Sequence, residues 1–276
     1  MANSNDPGFS ARPDHKQPFD PNRNRRGPRA LIITGDGINC ETETAQAFQM
    51  VGFEAEIRHL NDLILHKVSL DDLSSRYQAL ALPGGFSFGD DLTSGKVLAL
   101  KIHHGLRWNL QTFADRGGLV LGICNGFQAL IRLGVFGKFL SITHNSQGRF
   151  MNQWVKVSPS SHKCVWLRGV GTLDLPIRHG EGRIVIDGNR RAETMSKLER
   201  QGMMCMKYEM DVNGSEERLA GLCDPTGRIF GLMPHPEAFV RWTSHPEWTA
   251  SAGRASSPGQ GLQFFENAFQ EALHAV

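Results

Sequence analysis

The chain has 276 residues, of which 40% are hydrophobic and 21% are charged, and its formal net charge is +2. This length and composition allow a substantial core, and the near-neutral charge argues against partners such as nucleic acid or a membrane surface. The cysteines are odd in number and lack Cys-x-x-Cys spacing, which predicts no disulfide framework, no metal site and a reducing, cytoplasmic location. They are Cys40, Cys124, Cys164, Cys205 and Cys223.

The composition of residues 1–28 predicts a disordered leader. The segment is rich in Pro, Asn and Arg and has no apolar stretch of the kind found in secretory signals. Its basic cluster at residues 23–26 is typical of a solvated tail, and a nucleic-acid-binding arm is the alternative. No apolar run in the chain is long enough to span a bilayer. The ordered part is predicted to be one domain, residues 29–276.

The first half of that domain alternates between strand and helix patterns. Apolar runs or, at 54–60, alternating residues predict strands, and amphipathic segments ending near glycines predict helices. Strands are expected at residues 30–33, 54–60, 77–82 and 119–123, and helices at 41–51, about 94–115, and 125–133. This alternation predicts a parallel sheet with helices on both faces.

After about residue 140 the pattern changes to short strands joined by Gly, Asn and Asp turns. Strands are expected at 150–157, 175–179, 183–186, 204–209, 219–223 and 229–233, followed by a surface loop at 245–261 and a helix at 263–275. The predicted fold class is therefore α/β, with a mostly parallel central sheet and added short antiparallel strands.

A strand–turn–helix elbow surrounds Cys124. The apolar run that ends at Ile123 leads directly into this cysteine, and Gly122 and Gly126 flank it. Such an elbow exposes one side chain at the end of a sheet, and the helix dipole there favours a thiolate. The pattern predicts a nucleophile; a buried structural cysteine is the alternative.

A second motif, Pro-His-Pro-Glu, follows the last predicted strand. The two prolines restrict the backbone around His235, and the His-x-Glu spacing places Glu237 on the same side of an extended segment. Glu237 is then able to hold one imidazole nitrogen while the other faces a thiol. For an isolated His-x-Glu, a solvated surface pair is the alternative.

A Gly-Gly loop follows the third predicted strand. The N–H of Gly85, paired with the N–H of Asn125, is predicted to form an oxyanion hole. A plain tight turn is one alternative. A phosphate-binding loop is disfavoured because no Gly-Lys-Ser/Thr follows.

Taken in this order, the three motifs resemble those of class I glutamine amidotransferases. The likeness is greatest to glutaminase subunits of phosphoribosylformylglycinamidine synthase, and it extends from about residue 29 to 273. That narrower likeness rests on Gly-Gly-Phe-Ser-Phe-Gly-Asp-Asp at 84–91, Asn-Gly-Phe at 125–127, Asn-Ser and Arg-Phe at 145–150, and His-Gly-Glu-Gly at 179–182. The stretch at 245–257 is longer than the family pattern.

The resemblance implies a role for each matching position. Cys124 corresponds to the nucleophile, His235 to the general base and acid, and Glu237 to the residue that orients the imidazole. The oxyanion donors and substrate-binding positions correspond to Gly85, Asn125, Gln128, His179, Gly180 and Glu181. A surface pair between Glu181 and Arg183 is the alternative for that part of the loop.

The resemblance also implies a flavodoxin-like domain that hydrolyses L-glutamine through a thioester. Ammonia would pass to a synthetase subunit, and the resemblance also implies a small bridging subunit in the assembly. No cofactor is expected in this chain, and ATP and Mg²⁺ are expected in the synthetase. The alternatives are a glutaminase subunit of a different ATP-dependent amidotransferase, a cysteine hydrolase of peptides or esters, and a non-catalytic binding subunit.

The remaining cysteines carry no elbow or matched base. Cys40 is therefore expected to be structural, although it follows the first strand near the same edge of the sheet. The other three are expected to be core residues.

Overall fold

The computed structural model describes residues 27–90, 93–250 and 254–274. Its strands are β1 (Arg29–Thr34), β2 (Glu54–His59), β3 (Ala79–Leu82), β4 (Leu119–Ile123), β5 (Leu140–His144), β6 (Met151–Pro159), β7 (Leu173–His179), β8 (Glu181–Ile186), β9 (Met206–Tyr208), β10 (Leu219–Cys223) and β11 (Ile229–Leu232). Its α-helices are α1 (Glu41–Met50), α2 (Leu60–Leu65), α3 (Leu70–Arg76), α4 (Lys96–Leu100), α5 (Leu110–Asp115), α6 (Asn125–Arg132), α7 (Arg191–Arg200) and α8 (Leu262–Leu273). The predicted leader, apart from residues 27 and 28, lies outside the described residues.

Nine strands form one sheet in the order β2-β1-β3-β4-β11-β10-β9-β6-β7, and β5 pairs with β8 separately. The first five strands of this order are parallel to one another, and the pairings from β11 to β7 are antiparallel. The parallel half has the 2-1-3-4-5 order of flavodoxin-like folds, with β11 in the fifth position. The predicted fold class is confirmed.

Helix α6 lies unusually close to the sheet because small residues face it. A Cβ atom at Gly126 would lie 1.8 Å from the carbonyl oxygen of Leu82, so only glycine fits at this crossing. Phe127 and Leu130 on the same helix are fully buried. This packing fixes the start of α6 against the ends of β3 and β4, where the elbow lies.

The prediction of one long helix at about 94–115 is wrong. The segment consists of α4, a π-helical turn (Lys101–Leu106) and α5. Arg107 adopts a left-handed conformation with φ 54°, which ends the first helical stretch. Asn109 then starts a new helix, since its side chain accepts a hydrogen bond from the N–H of Thr112 at 3.2 Å.

Other helices were not predicted because they are short or begin inside a turn pattern. Helix α3 spans only seven residues and begins with a capping box between Ser69 and Asp72. Helix α2 begins at Leu60, which was assigned to the preceding strand, and α7 follows the glycine turn at 187–189. Among the described residues, no helix is long and apolar enough to cross a membrane.

Candidate active site

The three predicted motifs all follow parallel strands at the same edge of the sheet. Leu82 in β3 pairs with Gly122 in β4, and Ile123 pairs with Leu232 in β11. The Gly-Gly loop, the cysteine elbow and the Pro-His-Pro-Glu segment therefore leave the sheet side by side. In open α/β sheets this edge is where ligands bind.

Cys124 occupies a strained backbone conformation. Its φ of 49° and ψ of −104° lie in a region that non-glycine residues rarely adopt. The backbone is held there because its N–H donates to the carbonyl of Leu232 at 2.8 Å and α6 begins at the next residue. Cys124 is 4% exposed, and its Sγ lies 3.7 Å from the carbonyl oxygen of Arg178. This geometry is that of a nucleophile elbow.

His235 and Glu237 form a buried pair. The Nδ1 atom of the imidazole lies 2.6 Å from Oε1 of Glu237, and each residue is 3% exposed. Burial alone would lower the pKa of His235, but the Glu237 carboxylate and the neighbouring thiols outweigh it and hold that pKa well above its ordinary value. The backbone N–H of His235 donates to the carbonyl of Pro176 at 2.9 Å, which anchors the segment to β7. The hydrogen bond that the His-x-Glu spacing suggested is present.

Two thiols approach the same imidazole. Cys124 and Cys40 both lie near enough to raise the pKa of His235. The Nε2 atom of His235 is nevertheless buried and makes no hydrogen bond of ordinary geometry with any described residue. Since Nδ1 is already engaged by Glu237, Nε2 is the nitrogen left to exchange a proton with Cys124.

Cys40 lies inside the candidate site, whereas it was expected to be merely structural. Its Sγ and the ligand atoms of His235 and Glu237 lie within 4.8 Å of one another. Burial raises the pKa of the Cys40 thiol, and the neighbouring imidazole of His235 opposes that shift. A sulfur, an imidazole nitrogen and a carboxylate oxygen are also possible metal ligands. Nδ1 of His235 and Oε1 of Glu237 are already paired with each other, however, so these two atoms are not free to bind an ion.

The Gly-Gly loop lies against the imidazole and the elbow. A Cβ atom at Gly84 would lie 2.7 Å from Cε1 of His235. Gly85 has φ +142°, and its backbone packs against residues 37–39 too tightly for a side chain. The N–H of Ser87 donates to Oδ1 of Asn125 at 3.3 Å, which ties the loop to α6. The N–H of Asn125 is the first in α6 and so has no acceptor within that helix.

The Asn125 side chain joins a buried amide network. Its Nδ2 donates to Oδ1 of Asp90 at 3.0 Å and to Oε1 of Gln128 at 3.1 Å. Nε2 of Gln128 donates in turn to the carbonyl of Glu181. Burial raises the pKa of Asp90 against the opposing hydrogen bonds from Ser94 and Asn125. The predicted substrate position Gln128 is thus already placed between the elbow and the 179–181 loop.

His179 is buried and neutral. Its Nδ1 lies 3.0 Å from Oδ1 of Asn145, whose Nδ2 donates to the carbonyl of His179 at 2.8 Å. Burial and, secondly, the charge on His235 lower the pKa of His179 to about 4. Gly180 accepts through its carbonyl from the N–H of Asn145 at 2.9 Å. The loop is therefore held by Asn145, whose role the sequence left open.

The Glu181 side chain lies near the start of the segment that follows the Gly-Gly loop. Its Oε2 accepts from the N–H of Ser94 at 3.4 Å. The alternative of a surface pair with Arg183 is disfavoured, because the Arg183 side chain donates to the carbonyl of Gly214 at 3.0 Å.

Two neighbours of the site were missed by sequence reasoning. The Tyr208 hydroxyl is buried without a hydrogen-bond partner among the described residues, and burial together with the nearby Cys124 raises its pKa. Nothing in the pattern of β9 marks this tyrosine. Asp90 lies within the Gly-Gly loop motif, so its position was available as a signal.

Comparisons with known proteins identify the family of the chain. A sequence model of the CobB/CobQ-like glutamine amidotransferase domain matches residues 27–270. The phosphoribosylformylglycinamidine synthase subunit PurQ of Methanococcus maripaludis is 38% identical over 90% of this chain and 96% of its own length. The subunit PurQ of Dehalococcoides mccartyi is 38% identical over 88% of this chain and 97% of its own length. The structure of PurLQS from Thermotoga maritima contains a chain with TM-score 0.66 and 32% identity, covering 90% of this chain and 98% of that one.

Proposed function

The chain belongs to the CobB/CobQ-like glutamine amidotransferase family, and on that premise we propose that it is the glutaminase subunit of a phosphoribosylformylglycinamidine synthase. It hydrolyses L-glutamine to glutamate and supplies ammonia for the synthesis of formylglycinamidine ribonucleotide. The observation that carries the chemical part of this proposal is the buried set of Cys124, His235 and Glu237 at the carboxyl edge of the sheet.

The first half-reaction forms a thioester. The Sγ atom of Cys124 attacks the side-chain amide carbon of glutamine, and Nε2 of His235 takes up the thiol proton. The imidazolium then gives a proton to the leaving nitrogen, the C–N bond breaks and ammonia departs. Glu237 keeps the imidazole oriented and balances its charge during both transfers.

The second half-reaction releases glutamate. His235 takes a proton from water, whose oxygen attacks the thioester carbon. The C–S bond then breaks, and the imidazolium returns its proton to the sulfur, which restores the thiol of Cys124. Both half-reactions pass through a tetrahedral oxyanion. We assign its stabilisation to the N–H groups of Gly85 and Asn125, since one donor of this kind is worth about 2.7–4 kcal/mol.

We assign recognition of the glutamine main chain to the 179–181 loop and Gln128. The amide network of Asn125, Gln128 and the Glu181 carbonyl brings these residues to one side of the elbow. His179 supplies shape and a neutral surface there, since the ring is buried and uncharged at neutral pH.

The partner in this proposal is a synthetase subunit that accepts the ammonia. A chain similar to this one occurs in the structure of PurLQS from Thermotoga maritima, which supports the proposal that this chain works in an assembly. We propose a synthetase and a small bridging subunit as its partners. The synthetase would hold ATP and Mg²⁺, and this chain would need no cofactor of its own. Five free cysteines fit a reducing compartment, and we place the complex in the cytoplasm.

The test is to reconstitute the chain with its synthetase and compare two nitrogen sources. We expect Cys124→Ala to abolish glutamine-dependent synthesis and to leave ammonia-dependent synthesis intact, so that the ammonia reaction is the internal control for assembly. Loss of both activities would contradict the division of labour. Faster cleavage of esters or peptides than of glutamine would instead favour a general cysteine hydrolase.

A further inference from the structure

Three buried cysteines outside the candidate active site meet at one point. Their Sγ atoms lie within 4.8 Å of one another, and none of the three residues is more than 1% exposed. They come from three separate segments of the chain: Cys164, Cys205 and Cys223. We propose that these thiols form a three-coordinate site for a soft, thiophilic cation, with Cu(I) as the ion that fits best.

The spacing of the sulfur atoms suits a trigonal thiolate site. For metal–sulfur bonds of about 2.3 Å, three sulfurs in a plane around one ion are about 4.0 Å apart. The observed upper limit of 4.8 Å exceeds this by less than 1 Å. Small side-chain rotations therefore suffice to close the site, and no backbone movement is needed.

Backbone hydrogen bonds hold the three segments in place before any ion binds. The N–H of Cys223 donates to the carbonyl of Met203 at 2.9 Å, and the carbonyl of Cys205 accepts from the N–H of Ser160 at 2.9 Å. The segment that follows Cys164 is tied to the turn after β10, because the N–H of Val165 donates to a carbonyl in that turn at 3.0 Å. The ligands are thus pre-organised, which lowers the entropic cost of binding.

The surroundings favour three ligands over four. Asp224, the residue after Cys223, is a candidate for a fourth ligand, but its Oδ1 accepts from the N–H of Ile229 at 2.8 Å. Its Oδ2 accepts from Thr226 and from Gln111 at 2.6–3.0 Å. A structural zinc site needs four ligands, whereas soft thiolates in low coordination select Cu(I). Lys163, next to Cys164, adds a positive charge that offsets part of the thiolate charge.

The cluster lies just beneath the surface. Pro225 and Thr226, directly after Cys223 and Asp224, are exposed, and so is Lys163. Local opening of this turn gives an ion access to the thiols without unfolding the sheet.

The experiment uses the full chain with Cys40→Ala and Cys124→Ala, so that only the three clustered thiols remain. Reduced protein is titrated with Cu(I) against a chromogenic Cu(I) chelator, and copper X-ray absorption counts the sulfur ligands. We expect one Cu(I) per chain, three sulfurs at about 2.3 Å, and release of protons on binding. Cys205→Ala, Cys164→Ala or Cys223→Ala in this background should each weaken binding on the order of a hundredfold or more, since even indirect partners of a metal site cost 10–100-fold.

Circular dichroism establishes whether each variant is folded, and serine replacements serve where alanine prevents folding. The X-ray absorption measurement needs no change within the cluster, so it tests the proposal even if every such variant unfolds. Failure of the background protein to retain Cu(I), a two-sulfur spectrum, or unchanged affinity in folded single variants would each overturn the proposal. A four-ligand Zn²⁺ complex of higher affinity than Cu(I) would do so as well.

Discussion

Replacing Glu237 by glutamine tests whether the buried pair with His235 drives turnover. The two groups are 2.6 Å apart and almost fully buried, so the carboxylate is the nearest counter-charge for an imidazolium. Gln is able to keep the hydrogen bond but not the charge. Positioned acid–base catalysis is worth about 10²–10⁴-fold, or roughly 3–5 kcal/mol. Breaking a buried ion pair costs about the same, 3–5 kcal/mol. We therefore expect kcat to fall by about 10²–10⁴-fold while KM for glutamine changes little.

The assay is steady-state glutaminase kinetics across pH, in the assembled complex, with Glu266→Gln on the exposed face of α8 as the matched control. The substitution removes the carboxylate that counteracts burial, so the pKa of His235 should fall and its limb of the kcat/KM profile should move to lower pH. The raised pKa also contributes stability below the unfolded value of about 6.5, and that contribution is lost as pH rises through the folded pKa. In urea unfolding, the variant should therefore lack this pH dependence of the free energy of unfolding. An increase in KM with unchanged kcat and an unchanged pH profile would refute the reasoning.

Three other substitutions probe the surroundings of the site. Gly126→Ala places a methyl 1.8 Å from a carbonyl of β3 and should destabilise the fold by at least about 1–3 kcal/mol in urea, whereas Gly171→Ala, with nothing within 4 Å, should change it by less than about 0.5. The wild-type free energy of unfolding should fall by about 3 kcal/mol as pH drops from 6.5 toward 4, because His179 is protonated more readily in the unfolded state. His179→Gln should abolish this pH dependence, and an identical pH dependence in the two proteins would contradict the reasoning. Cys40→Ala should lower the pKa of His235 and shift the kcat/KM profile to lower pH with less than a tenfold loss of kcat; an unshifted profile, or loss comparable to Glu237→Gln, would show that this thiol acts differently.

The sequence was sufficient for the parts of the fold that depend on local patterns. Apolar runs marked β1, β3, β4 and β11, alternation marked β2, and the glycines around Cys124 marked the turn that follows β4. The Pro-His-Pro-Glu segment indicated a hydrogen bond within two residues, which the structure contains. These features are encoded within a few residues, so tertiary context did not override them.

Features that depend on strand order were out of reach. Cys40 was expected near this edge of the sheet, but its position beside His235 follows from β1 pairing with β3 while β11 pairs with β4, and no spacing along the chain encodes that order. The three clustered cysteines likewise meet only through the antiparallel extension of the sheet. The break at Arg107 depends on a left-handed backbone at a residue type that seldom adopts it.

The insertion of β11 between β4 and β10 has a consequence for protein synthesis. A ribosome delivers Cys124 well before His235, and every strand from β5 to β10 is made in between. The incomplete chain already carries its thiol but has no proton acceptor beside it and no β11 to close the parallel sheet. Glutaminase activity can therefore arise only after residues 229–237 have been translated and β11 has paired with β4.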